Sequence, residues 1–594
     1  MRPVGWPALA AVTLAAPALR LPVSGAQQLV SVDGTVYIRL ARALFSDAQF
    51  ETVQPPGYPA LIAIFHTVIR DWVAAAKAVD LVSGVLLVPL VWILARRYVP
   101  SWRWCLFPAL AVALLPLFVR YSVTTMSEMP YMVLVTAMFL AVPRRPFTGG
   151  LLGGLAYLVR PEGLIVAAAL ALAGVLRAPR WGLRLGLGAA VIAGGFVLQQ
   201  GLATGSWTLS AKTVNVGGTS WMDNEPAPGD TARAFDARVR EYGQNSLRAY
   251  PARLAGHVRQ LVRHGGYVVP LVGLAGLATP AAPLAAGVLP LAVTPAFSLP
   301  AHPRFILPYL PFLFILATAF LARRPRFAMP LLGLCLLGVA ASAYTERRAY
   351  TLNEDGTFPA LVKAGEWLRQ YVTEGTVVYD RKPYTAFYAG AEYRAIPMGS
   401  YDEILDAIVA AEGDYLVLGQ AVIDFFRPML LPLIMDKGYV TNDPRLAPVY
   451  LDTQYVNRRT MIFRVVRPGG PAPNPEEAHL KPRLAEITHQ EDHFPHGMLA
   501  LRAGRWQVAA GEFEYVLRRD PENADALNNR AWALYKANVG ALGVAEENAR
   551  KAVSIQPENA DYWDTLVAIL QAAEKTEEAA EAEATLRRLT GDAP

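Results

Sequence analysis

Five short stretches place charged or hydroxyl groups beside strongly apolar sequence: Asp33 and Tyr37 in S-V-D-G-T-V-Y, Glu128 in S-E-M-P-Y-M, Arg160-Pro161-Glu162, His302-Pro303-Arg304, and Lys212 in L-S-A-K-T-V-N-V-G-G. A carboxylate can take a proton from an attacking hydroxyl, and a guanidinium fork matches the oxygens of a phosphate. Each residue also has a plainer use. Asp33 before Gly-Thr-Val suits a helix N-cap; Glu128, with Pro130 close behind, suits a helix start favoured by the dipole. Tyr37 can hydrogen-bond a ligand or snorkel at an interface. Arg160 and Glu162 flank a proline at a membrane-depth turn, where an isolated charge costs about 2.5–3.5 kcal/mol on insertion scales, so they are expected to pair or to function. Arg304, just before an apolar run, either meets a lipid phosphate at headgroup depth or anchors the helix. His489, His493 and His496 lie around a Pro-containing linker with no further ligand cluster, so no metal site is expected.

These residues need a scaffold, and composition says which kind. The chain has 594 residues, 53% hydrophobic and 18% charged, with mean hydropathy +0.27. That is too apolar for an ordinary soluble protein and fits a polytopic α-helical membrane protein with soluble parts. The net charge of +6 comes from short basic clusters between apolar runs, a topology signal and not a nucleic-acid footprint. Cys105 and Cys335 lie inside apolar runs, so the outer parts are expected to fold without disulfides.

Candidate spans fall at roughly 4–22, 72–95, 104–120, 129–143, 147–159, 163–176, 185–203, 262–279, 281–299, 305–322 and 327–344, about eleven in all. Alternate loops hold Arg96, Arg97 and Arg103; Arg144 and Arg145; Arg177, Arg180 and Arg184; and Arg323, Arg324 and Arg326. Those loops are read as cytoplasmic, which puts the N terminus inside an inner or plasma membrane and the long C-terminal part outside. The N-terminal run followed by Val23-Ser24-Gly25-Ala26 also admits a cleavable signal peptide. The first outer loop reads as two interfacial helices: Gly34 to Phe45, with Val36, Leu40, Ala43 and Leu44 on its apolar side opposite Arg39 and Arg42, and Pro55 to Arg70, too short to span.

D-G-x-x-Y-x-x-x-A from Asp33 to Ala41 and Q-P-P-G-Y-P-A-L from Gln54 to Leu61 resemble the first outer loop of GT-C glycosyltransferases, in the branch of protein O-mannosyltransferases and the lipid A aminoarabinose transferase. S-E-M-P-Y-M, G-G-L-A-Y-L-V-R-P-E-G and H-P-R-F-I-L-P-Y-L-P follow in order, so the resemblance spans residues 1–345. It implies transfer of a sugar from a polyprenyl-phosphate carrier to an acceptor on the outer face, usually with inversion. On that basis Asp33 is the expected general base and Glu128 a second acid. Tyr37, Arg160, Glu162, His302, Arg304 and Lys212 would contact or organise substrate. Where relatives often carry Asp-Glu, this chain has Asp33-Gly34. No cofactor is indicated; a divalent cation is compatible with this chemistry, although no residue pattern calls for one. The expected partners are the lipid-linked sugar, membrane lipid and an unidentified acceptor, with no nucleic acid.

From 346 to 467 the pattern changes to short β-like runs, Thr376–Asp380, Tyr415–Gly419 and Thr460–Val466, between helical stretches, predicting a small extracytoplasmic α/β domain. A Pro-rich linker occupies 468–482. In 483–594, D-P-E-N-A-D-A-L at 520–527 returns as Q-P-E-N-A-D-Y-W at 556–563, near the tetratricopeptide period, with an insertion expected near Asn538–Leu542. Such repeats would bind a protein partner, dock on their own enzyme domain or stabilise the C terminus. Two other functions compete: a polysaccharide ligase or polymerase, and a transporter or assembly scaffold. The transporter reading predicts charges paired deep between spans.

Overall fold

The structure is a computed structural model that describes residues 5–26, 30–44, 55–205, 250–293, 303–352, 357–397, 401–419, 443–452, 460–467, 493–502, 506–537 and 542–590, with positions 207, 209, 430 and 433. Two compact units divide near residue 359.

The first unit is helical. Its first ten helices are α1 (Trp6–Ala26), α2 (Val32–Ala43), α3 (Gly57–His66), α4 (Trp72–Ala95), α5 (Trp102–Leu114), α6 (Pro116–Tyr121), α7 (Glu128–Ala141), α8 (Pro146–Val159), α9 (Glu162–Arg177) and α10 (Pro179–Thr204). Further helices include Tyr250–His264, Val269–Ala275, Leu310–Leu321 and Pro325–Leu352. Among the described residues, Trp6–Ser24, Trp72–Ala95, Pro179–Leu202 and Pro303–Leu321 are long and apolar enough to cross a membrane. A bent pair, Tyr250–His264 with Val269–Ala278, adds a fifth at most. The other expected spans are shorter or broken. The run 104–120 divides where Leu115 turns extended and Pro116 opens α6, because proline cannot donate to the preceding turn.

α4 and α7 pack side by side, α8 fits between α7 and α10, and α3 lies against the end of α8. Small residues permit this: a Cβ on Gly57 would stand 2.7 Å from the Leu158 carbonyl oxygen, and one on Gly150 2.0 Å from that of Leu185. Three of the four basic loops come together at one end. Arg97 donates to the Phe139 carbonyl at 3.0 Å, and Arg323 to the Tyr98 carbonyl at 3.2 Å.

The second unit contains a sheet ordered β2-β1-β3-β5-β4, built from β1 (Val377–Asp380), β2 (Glu392–Ala395), β3 (Tyr415–Gly419), β4 (Leu446–Asp452) and β5 (Thr460–Val465). β1 pairs in parallel with β2 and β3, while β3–β5 and β5–β4 are antiparallel. The C-terminal part is made of antiparallel helix pairs between His493 and Thr590. Both copies of the repeated P-E-N-A-D start a helix on an asparagine: Asn523 Oδ1 accepts from Ala526 N at 2.9 Å, and Asn559 Oδ1 from Asp561 N at 3.1 Å. Ala531, Ala533 and Ala549 are buried between the helices. Linker 468–482 and the expected insertion at 538–541 lie outside the described residues.

Candidate active site

Asp33 is not the N-cap of its helix. Ser31 takes that place, its hydroxyl accepting from Gly34 N at 2.9 Å. Asp33 sits in the first turn with its carboxylate left for another partner, and Arg304 Nη1 donates to Asp33 Oδ2 at 2.8 Å. The pair is partly open, at 22% and 27% exposure, so water or a ligand can reach it. Position 34 leaves little room for a side chain. A Cβ at Gly34 would stand 2.3 Å from Thr125 Oγ1, because α2 begins pressed against the 122–127 turn.

The buried face of α2 also differs from the expected one. Leu40 is buried and Arg39 and Arg42 are exposed as expected, but Gly34, Thr35, Tyr37, Ile38 and Ala41 are buried too, Val36 and Ala43 are half-buried and Leu44 is exposed. Tyr37 therefore packs inward and does not snorkel. Its hydroxyl lies 3.5 Å from Ser127 Oγ. Burial pushes the Tyr37 phenol above its ordinary range; the Asp33 charge pushes the same way, the Ser127 contact opposes it, and Glu128 again raises it. The phenol thus stays protonated, able to donate.

Glu128 opens α7, Arg160 ends α8 and Glu162 opens α9, with Pro161 forcing the break between the last two. Arg160 Nη1 donates to Glu128 Oε1 at 2.6 Å and Nη2 to Glu162 Oε1 at 2.9 Å. Arg160 also reaches Ser127 Oγ at 3.4 Å. One guanidinium thus joins three helix ends, and Glu128 is buried with Oε2 unpartnered among the described residues. Asp33, Glu128, Arg160 and Arg304 form one electrostatic neighbourhood. Asp33, Tyr37, Glu128, Arg160, Glu162 and Arg304 are accordingly brought together, while Lys212 and His302 lie outside the described residues.

Sequence reasoning passed over three supports. Asp80, inside α4, accepts from the Tyr58 hydroxyl at 3.0 Å and from Met126 N at 2.9 Å. Ser31 is tied to the turn by its own N–H to Thr125 Oγ1 and its hydroxyl to the Thr125 carbonyl. Arg20, buried in α1, donates to Ser122 Oγ and to the Val112 and Ala113 carbonyls. An acid or arginine within an apolar run was the available signal for Asp80 and Arg20. Away from this site, His493 is a structural contact of the helical pairs, its Nδ1 2.7 Å from Glu512 Oε2.

No family model matches this chain, and no curated protein matches it. Among solved structures it is similar to ArnT from Cupriavidus metallidurans in the apo state, with 15% identity and a TM-score of 0.46, covering 78% of this chain and 98% of that one. It is similar also to the same protein bound to undecaprenyl phosphate, with 13% identity and a TM-score of 0.45, covering 77% and 97%.

Proposed function

We propose that this chain is an integral-membrane glycosyltransferase that moves a sugar from a polyprenyl-phosphate carrier to an extracytoplasmic acceptor, a protein, lipid or glycan, with inversion. The observation that carries the reading is the meeting, at one end of the helices, of Asp33–Arg304 with Glu128–Arg160–Glu162. Asp33 is the general base: it takes the proton of the acceptor hydroxyl as that oxygen forms its bond to the anomeric carbon. The bond from that carbon to the phosphate oxygen breaks, and its electron pair leaves with the polyprenyl phosphate. A phosphate needs charge stabilisation more than a proton, which Arg304 supplies. An incoming phosphate competes with Asp33 for Arg304 and frees the carboxylate at the moment it is needed. Arg160 holds Glu128 and Glu162 as the fixed wall of the site, and Tyr37 donates its phenol to the bound sugar.

The pairs Arg160–Glu128, Arg160–Glu162 and Arg304–Asp33 sit at helix ends, which favours an end-on reaction site over a transport path. The reading places the site and the second unit on the outer face. Reporters fused after Arg97, Arg145 or Arg324 should then be cytoplasmic, and one after Gly470 exported.

The purified full chain, given a synthetic polyprenyl-phosphate sugar and acceptor extract, should release polyprenyl phosphate and label an acceptor. Surface glycans from cells lacking the gene, compared by mass spectrometry, should lose one sugar. Unchanged glycans together with no donor cleavage would remove the reading.

A further inference from the structure

Asp80 lies inside α4, about two turns from its start, with no exposure, where a carboxylate is costly unless it is held for a purpose. Its Oδ2 takes two donors from two different segments, the Tyr58 hydroxyl of α3 and the Met126 N–H of the 122–127 turn. Oδ1 has no partner among the described residues. An apolar residue would fill this place more cheaply, so the two bonds require an explanation.

Both arms lead to the site. The Tyr58 ring meets the Tyr37 ring edge to face, centroids 4.9 Å apart at 86°, and Tyr37 stands one turn after Asp33 on α2. Met126 precedes Ser127 and Glu128 in sequence. Immediately before Met126, Thr125 holds φ at +51°, an unfavourable conformation for a β-branched residue. Such a turn persists only when its surroundings hold it. Ser31 grips Thr125 from α2, and Asp80 grips the next residue from α4.

Resting on the sugar-transfer reading, we infer that Asp80 is a positioning residue that sets the separation of Asp33 from Glu128 by bracing α3 and the strained 122–127 turn against α4. It acts as a fixed acceptor and does not touch substrate.

Asp80→Asn keeps an oxygen for both donors and replaces only the unpartnered Oδ1, whereas Asp80→Leu keeps volume and removes the acceptor. In full-length protein, Asp80→Leu should lower kcat at least tenfold with the donor KM changed less than threefold. Asp80→Asn should keep at least a third of wild-type kcat. Tyr58→Phe should lower kcat alone but add little to Asp80→Leu, because both remove the same brace.

A second readout needs no substrate. Nitroxides at Arg39→Cys on α2 and Arg120→Cys beside the turn should give a narrow distance distribution in the wild-type and Asp80→Asn backgrounds and a broad one with Asp80→Leu. Broadening in a protein without sugar transfer would sink the reaction and keep the brace. A narrow distribution with Asp80→Leu, or equal losses from Asn and Leu, would overturn the brace itself. Loss of yield with unchanged kcat per folded molecule would do the same.

Discussion

Arg304 Nη1 and Asp33 Oδ2 stand 2.8 Å apart although 271 residues separate them in the chain. The contact links the first turn of α2 to the segment that opens the Leu310–Leu321 helix. It aims the carboxylate, and it gives an anionic ligand one cation to capture.

Asp33→Asn tests the base directly. Ser31, not Asp33, caps α2, so the asparagine should leave melting behaviour unchanged. Turnover should fall by about 10²–10⁴-fold, the usual loss of general-base catalysis, with donor binding intact. Asp33→Glu should recover little, because the longer side chain displaces the carboxylate. Near-normal turnover in the asparagine variant would move the search for the base to Glu128 or Glu162.

Arg304→Lys keeps a charge but loses the planar fork. A hydrogen bond to a charged group is worth about 1.5–3 kcal/mol, so the donor KM should rise by roughly ten- to a hundredfold. Initial rates across a range of lipid-linked sugar measure it. An unchanged KM would mean that the phosphate is bound elsewhere.

How much of this was readable in advance depended on whether a residue announced itself by chemistry or by position. The charged motifs were legible because ionisable groups beside apolar runs are expensive, and five charged residues from them, Asp33, Glu128, Arg160, Glu162 and Arg304, meet in the structure. The apolar run Met461-Ile462-Phe463, followed after Arg464 by Val465 and Val466, likewise marked β5. Edge strands β2 and β4 were not legible: Glu392–Ala395 is largely polar and partly exposed, and Leu446–Asp452 carries Pro448 at a register irregularity. Ser31 as cap, the face of α2 and the role of Gly34 depend on the 122–127 turn some ninety residues away, a contact that no local periodicity encodes. Span lengths failed for a related reason, since Pro116 breaks the run 104–120 that hydropathy reads as continuous, whereas the break at Pro161 was read correctly.

Arg160→Met should unfold the site and not merely slow it. Removing one partner from a buried pair costs about 3–5 kcal/mol, and here it strands Glu128, which is 1% exposed. Glu162→Gln should be much milder, because Arg160 retains Glu128. Thermal unfolding in detergent distinguishes the two, and equal melting temperatures would show that the triad is wet and weakly coupled.

The second unit offers a pH test independent of the membrane site. Asp380 ends β1, is 3% exposed, and burial pushes its carboxyl up to about 7 from 3.8, against the Arg381 N–H donated to Oδ1 at 2.6 Å, which lowers it. The folded form therefore keeps a proton that the unfolded chain releases between about pH 4 and 7. Below pH 4 both states hold the proton and stability is flat. As pH rises through the window stability falls, by a few kcal/mol at most, and above 7 the loss is complete. Asp380→Asn mimics the protonated form, so its advantage over the wild type should grow from pH 4 to pH 7 and then level off. Denaturant unfolding followed by the fluorescence of Trp367, which packs on the same sheet at Tyr450, reads the difference. A pH-independent gap between the two proteins would mean that Asp380 is ionised and solvated in the folded domain.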